Sequence, residues 1–198
     1  MRRATVVAVT LITVVGCASD GRTLRPPPPG ATAPSLVTTT AAGQTTVPAA
    51  PLTLTSTAFQ VGGAIPIEFT CDGANTSPPL AWGSVPEGTV ELAITVTDTD
   101  AKGFVHWVLA GLDPTVQALA SGAAPDGAVE TTNDGGAAGW TGPCPPKGAG
   151  PHHYIVTLYA LTAPTGVSAG MKGSEAITAI SKVPGVTASL TGSYERAP

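Results

Sequence analysis

Val90-Glu91-Leu92-Ala93-Ile94-Thr95-Val96-Thr97 alternates larger apolar and smaller or polar residues with a period of two, and it runs straight into Asp98-Thr99-Asp100. Successive side chains of a strand point to opposite sides, so this spacing predicts a strand with one buried face. Phe104-Val105-His106-Trp107-Val108-Leu109 follows after a short turn and is almost continuously apolar around His106, as expected of a central strand. Tyr154 to Leu161 reads as a third long strand. Working outward, the short apolar runs Ile65–Phe69 and Leu80–Trp82 read as strands too, and Gly- or Pro-containing turns separate them. Ser174 to Lys182 carries Ile177 and Ile180 at helical spacing, with Ser174 as the expected N-cap. The predicted fold class is all-β dominated: an antiparallel β-sandwich with one or two short helices near the C-terminus.

Residues before this pattern have a different character. Met1-Arg2-Arg3 and the apolar run Ala4–Val15 read as an export signal over residues 1–16. The run is too short to span a bilayer comfortably. It ends at Val14-Val15-Gly16-Cys17, similar to a bacterial lipobox, which makes Cys17 the expected lipidation site. Each buried acyl methylene adds roughly 0.8 kcal/mol, so a multiply acylated terminus holds a protein on a membrane. Residues 17–51 contain Pro26-Pro27-Pro28-Pro29 and Thr-rich stretches without aromatic residues, which predicts a Pro/Thr-rich tether. Residues 52–198 then form one folded domain, facing the extracytoplasmic side of a bacterial cell membrane.

Charge narrows the partners. The 198-residue chain has a formal net charge of −4, and loss of Arg2 and Arg3 with the signal leaves about −6. An acidic domain does not suit nucleic-acid phosphates or direct adhesion to anionic lipid. Of three cysteines, Cys71 and Cys144 remain after Cys17, an even pair in an exported domain. They are read either as a disulfide or as two reduced thiols packed near each other, because spacing alone cannot place two sulfurs at bonding distance.

All three histidines lie close to these features. His106 shares strand parity with Phe104 and Val108, and His152 shares parity with Tyr154, while His153 points the other way. Asp98 ends its strand, where a side chain can turn into a cleft and orient a histidine by accepting its second N–H. Gly142-Pro143-Cys144-Pro145-Pro146 restricts the backbone and can present amide N–H groups to a ligand. Histidine and tyrosine donors together with loop amides suggest a small-anion site.

At these residues the chain resembles the phosphatidylethanolamine-binding proteins, in particular their bacterial Raf-kinase-inhibitor-like members. Asp98-Thr99-Asp100-Ala101 with His106-Trp107 is similar to the family's Asp-Pro-Asp-Ala turn and His-Trp pair. Gly142 to Tyr154 fits Gly-Pro-x-Pro-Pro-x-Gly-x-Gly-x-His-x-Tyr throughout. Phe69–Gly73, Ser77–Trp82 and Gly192–Arg196 support the match. The resemblance implies a sandwich with a large central antiparallel sheet, and an anion pocket at Asp98, His106, Pro145, His152 and Tyr154 with Gly142 and Cys144 in its wall. It implies a phosphate or phospho-headgroup ligand and no cofactor or metal. Thr99 replaces the motif's proline and would loosen its turn. His153 stands where Arg is frequent, and Trp140 where Tyr is usual.

Other readings compete. His106 could be a core histidine satisfied by Asp98. Cys144 near a histidine could be a nucleophile–base pair, which would make the protein a hydrolase. Asp98 with two histidines could hold a metal. The domain could also be an interaction module that inhibits a partner kinase or protease.

Overall fold

The computed structural model describes residues 51–198; the signal, Cys17 and nearly all of the tether lie outside them. Strands β1 (Leu54–Thr55), β2 (Leu80–Trp82) and β5 (Ala118–Leu119) make a small sheet in the order β1-β2-β5. Strands β3 (Glu91–Asp98), β4 (Phe104–Leu112), β6 (Val129–Glu130), β7 (His152–Leu161) and β8 (Gly185–Tyr194) make a five-stranded sheet in the order β6-β4-β3-β7-β8. All strand pairs are antiparallel. Helix α1 (Gly173–Ile180) lies near the C-terminus. The expected sandwich with one large sheet is the fold.

Two cores explain the arrangement. Leu54, Leu80, Trp82 and Leu119 of the small sheet pack with Leu92, Ile94, Val96, Trp107 and Leu109 of the large one. On the other side of the large sheet, Ala93, Val105, Val108 and Ala110 pack against Ala176 and Ile180 of α1. The helix therefore corrects the expectation for β3: both of its faces are covered, and even Thr95 is buried. A continuous or alternating pattern cannot disclose a cover supplied by a distant helix.

Two further expectations change, and one long strand lies where the sequence pattern is weak. Ile65–Phe69 is not a strand: Ile67–Phe69 is a 3-10 turn, with Phe69 N–H donating to the Pro66 carbonyl. Pro66 lacks an N–H for a ladder and its fixed φ suits a helical start. Ile65 and Phe69 are buried while Ile67 is 60% exposed, so one side of this turn faces the core. Ser174 is not the N-cap of α1; Lys172 holds that position without a side-chain cap bond. The Gly173 N–H instead donates to the Thr132 carbonyl, and a Cβ on Gly173 would come within 2.6 Å of Val105 Cγ1. Close docking on β4 supplies what a serine cap would have supplied. Finally, β8 pairs with β7 along ten residues although Gly185–Ser193 carries little apolar pattern.

The ladder is interrupted where it matters for function. Val96 pairs with Trp107 and Thr97 with Val105, so His106 is an extra residue on β4. Such a bulge shifts side-chain parity. Trp107 joins the core between the sheets and Val108 the core under α1, so His106 and Val108 do not share a face as parity alone predicts.

Candidate functional site

Three elements converge at one end of the large sheet: the end of β3, the start of β4 and the start of β7. Asp98, Phe104, His106 and His152 line a cleft of about 150 Å³ there, with Gly142 and Pro145 in its far wall. Cys144 also lines it, so six of the seven predicted site residues meet in one cavity.

Asp98 is buried and fully engaged. Its Oδ1 accepts the N–H groups of Asp100 at 2.8 Å and Ala101 at 3.1 Å, and its Oδ2 accepts from His152 Nδ1 at 2.7 Å. The carboxylate thereby caps its own turn and fixes the ring of His152, whose Nε2 is left for the cleft. Thr99 does not loosen the turn. Its N–H donates to the His153 carbonyl at 3.0 Å, a bond that proline could not make.

His106 is buried, and its Nδ1 lies 2.7 Å from the Thr141 carbonyl oxygen. A carbonyl only accepts, so Nδ1 carries the hydrogen. Burial pushes the pKa of His106 below its ordinary value; the Thr141 bond and the charges of Asp98 and Asp134 act in the opposite direction. The ring packs 4.8 Å from Phe104 and edge-on to Tyr154 at 5.2 Å, centroid to centroid.

Tyr154 stands apart from expectation. It belongs to the core behind His106 and does not line the cleft. Its hydroxyl is buried and without a partner among the described residues. Burial first, and then the neighbouring Asp98, push its pKa well above the usual phenol range. Its ring meets the His106 ring edge-on from the core side.

The Gly/Pro wall is held from outside. Gly142 N–H donates to Asn75 Oδ1 at 2.7 Å, so this amide is not available to a ligand. A Cβ on Gly142 would lie 2.5 Å from the Phe69 carbonyl oxygen and 2.6 Å from Asn75 Oδ1, which explains the glycine. Prolines 143, 145 and 146 have no N–H, leaving Cys144 as the sole residue of Pro143–Pro146 with an amide to offer. Cys144 is bridged to Cys71, and the Cys71 N–H donates to the Pro143 carbonyl. The bridge removes the thiol that a nucleophile–base pair would need. Next to it, Asp72 accepts from Tyr194 Oη at 2.8 Å and from Arg196 Nε and Nη2 at 2.7 Å each, tying the C-terminal residues to the same corner.

Sequence reasoning missed Thr141 and Asn75. Thr141 acts through a backbone carbonyl and Asn75 through a bond to a backbone amide, neither of which a side-chain motif announces. Among the described residues, no group of three or more His, Cys, Asp or Glu side chains is arranged to hold a metal ion.

The family model described as Phosphatidylethanolamine-binding protein matches residues 55–195. The chain is 40% identical over 188 residues to LppC of Mycobacterium tuberculosis, named as a candidate lipoprotein, covering 93% of this chain and 91% of that one. It is 38% identical over 152 residues to a protein of Methanothermobacter thermautotrophicus named UPF0098 protein, covering 73% of this chain and 99% of the relative. The crystal structure of Escherichia coli YbcL, titled a new member of the mammalian PEBP family, superposes with a TM-score of 0.70 at 35% identity. It covers 74% of this chain and 99% of YbcL.

Proposed function

Because the chain belongs to the phosphatidylethanolamine-binding protein family, we propose that it is a binding protein whose cleft takes a small oxyanion, a phosphate or phospho-headgroup. The observation that carries this reading is the pairing of two histidines on one cleft, each with Nδ1 already engaged and Nε2 left over. A volume of about 150 Å³ suits a phosphoryl group with a few further atoms rather than a whole lipid. Asp98 accepts from His152 Nδ1 and so orients the ring, which turns Nε2 rather than the carboxylate toward an incoming anion.

Calorimetric titration with phosphoethanolamine tests it through a sign. Asp98→Asn removes a negative charge, so simple repulsion predicts tighter anion binding. The orienting role predicts weaker binding, by about tenfold to a hundredfold, the equivalent of one charge-assisted hydrogen bond. Absence of any binding to wild type, or tighter binding by Asp98→Asn, contradicts the reading.

The same reading puts the domain outside the cytoplasm on a lipid at Cys17. Similarity to LppC supports it, because a match over 93% of the chain reaches back before Pro51. Cys17→Ser then moves the protein from the membrane to the soluble fraction; equal fractionation of mutant and wild type contradicts the anchor.

A further inference from the structure

The hydrogen on His106 Nδ1 has a consequence for the ligand. That nitrogen donates to the Thr141 carbonyl in any protonation state, because the carbonyl has no hydrogen to return. When the ring is neutral, Nε2 is therefore a lone pair, which accepts and cannot donate. Nε2 has no partner among the described residues, and His106 lines the cleft. The neutral ring is favoured by its surroundings. The residue is buried between Phe104, Tyr154 and the Thr141 segment. The titratable groups around it are Asp98 on β3, Asp134 after β6, and His152 and Tyr154 on β7. Asp98 is already bonded to His152 and two amides, and Asp134 accepts the Val105 N–H at 2.8 Å, so neither gives His106 a direct ion pair.

A cleft whose buried His106 presents a bare Nε2 lone pair does not suit every phosphate. We infer that it selects an oxyanion that brings its own hydrogen, a phosphomonoester in its monoanionic P–OH form, over a phosphodiester. The inference rests on the anion-binding reading above and names its ligand class. A monoester places its P–OH on His106 Nε2 and a charged oxygen toward His152, and one hydrogen is shared between phosphoryl oxygen and Nε2. A diester has no such hydrogen. It must first have His106 protonated from solvent, against the burial that disfavours the charged ring.

Methyl phosphate and dimethyl phosphate probe this, since they differ by one methyl group and in the hydrogen at issue. Titrated into the full chain at pH 6, methyl phosphate binds at least about tenfold more tightly, the equivalent of one hydrogen bond to a charged group. The gap narrows as pH is lowered toward the range where His106 itself becomes charged. Above pH 6, where the second ionisation of a phosphomonoester sets in, methyl phosphate affinity falls. Equal affinity for the two ligands, or methyl phosphate affinity that rises from pH 6 to 7 with its second charge, overturns the inference while leaving anion binding intact. Failure of both ligands and of phosphoethanolamine to bind overturns the parent reading instead. A second readout needs no mutant: in the ligand-free protein at pH 7, nitrogen-15 shifts of His106 show hydrogen on Nδ1 and a bare Nε2. Hydrogen on Nε2 there contradicts the inference directly.

Discussion

Two aspartate–histidine pairs stand side by side in this domain, built from neighbouring residues and nearly the same bond. Asp98 meets His152 Nδ1 at 2.7 Å, and Asp100 meets His153 Nδ1 at 2.9 Å. Their surroundings differ. The first pair has side chains 14% and 4% exposed and opens on the cleft; the second has 54% and 42% and faces solvent. The alternation of β7 puts His152 and His153 on opposite sides, and the turn after β3 gives each an aspartate. Asp100 also accepts the His153 N–H at 2.7 Å, so the outer pair fastens the turn to β7. The same chemistry thus orients a ring on the cleft where water is limited and fastens a turn where it is not. An exposed ion pair contributes little because solvent screens it, whereas a buried carboxylate can fix a ring's direction.

The largest expected effect comes from the wall that shelters the inner pair. The Cys71–Cys144 bridge closes a sequence separation of 73 residues, for which chain entropy gives about 4 kcal/mol. Replacing both cysteines by alanine lowers unfolding free energy by roughly that amount in urea titration. Native domain shows no thiol from either residue until a reductant is added. Two titratable thiols in native protein break this part of the comparison.

Gly142→Ala comes next. The new methyl group meets the Phe69 carbonyl and Asn75 within 2.6 Å, so the wall must shift, at a cost of about 1–3 kcal/mol. Anion affinity falls with stability, whereas the outer pair keeps its bonds. Unchanged stability means that the wall yields more easily than its contacts indicate.

Stability against pH separates the two regions more finely. His106 has a lowered pKa when folded, so between its folded value and the ordinary 6.5 the unfolded chain binds more protons. Stability therefore declines as pH falls through 6.5, and no contribution of this kind exists well above it. A saturating phosphomonoester reduces that decline. Asp100 has the opposite sequence: its folded pKa is depressed, chiefly by the bond from the His153 amide, so its contribution is present above 3.8 and lost as pH falls below it. Denaturation midpoints from pH 3 to 8 resolve two limbs, and His106→Gln removes the upper one alone. A single acid limb below pH 4 contradicts the neutral His106.

Much of this organisation was legible in the sequence. The cores of β3, β4 and β7 follow from strong apolar patterns, and the motifs put Asp98 beside a histidine without saying that it is His152 rather than His106. What remained hidden depends on partners. The bulge at His106 exists because β4 pairs with β3 on both sides of it, and it moves Val108 away from the face that strand parity assigns. Tyr154 shares parity with His152 but sits one layer deeper, under the His106 ring. Strand β8 is built from Gly, Ser, Thr and Ala as much as from apolar residues, and only pairing with β7 makes it a strand. Thr141 acts on the site through its backbone carbonyl, and Asn75 through a side-chain bond to the distant Gly142 amide, which no local motif encodes.

The smallest expected effect belongs to the outer pair: His153→Ala changes phosphoethanolamine affinity less than about twofold, because the side chain is screened and turned away. Set beside His152→Ala, it gives the most direct test of the claim that the cleft between β3, β4 and β7 is the binding site. In parallel calorimetric titrations at pH 6, wild type and His153→Ala bind phosphoethanolamine with one site and similar affinity, while His152→Ala binds about tenfold to a hundredfold more weakly. Equal affinity in all three proteins, or a loss confined to His153→Ala, contradicts the account.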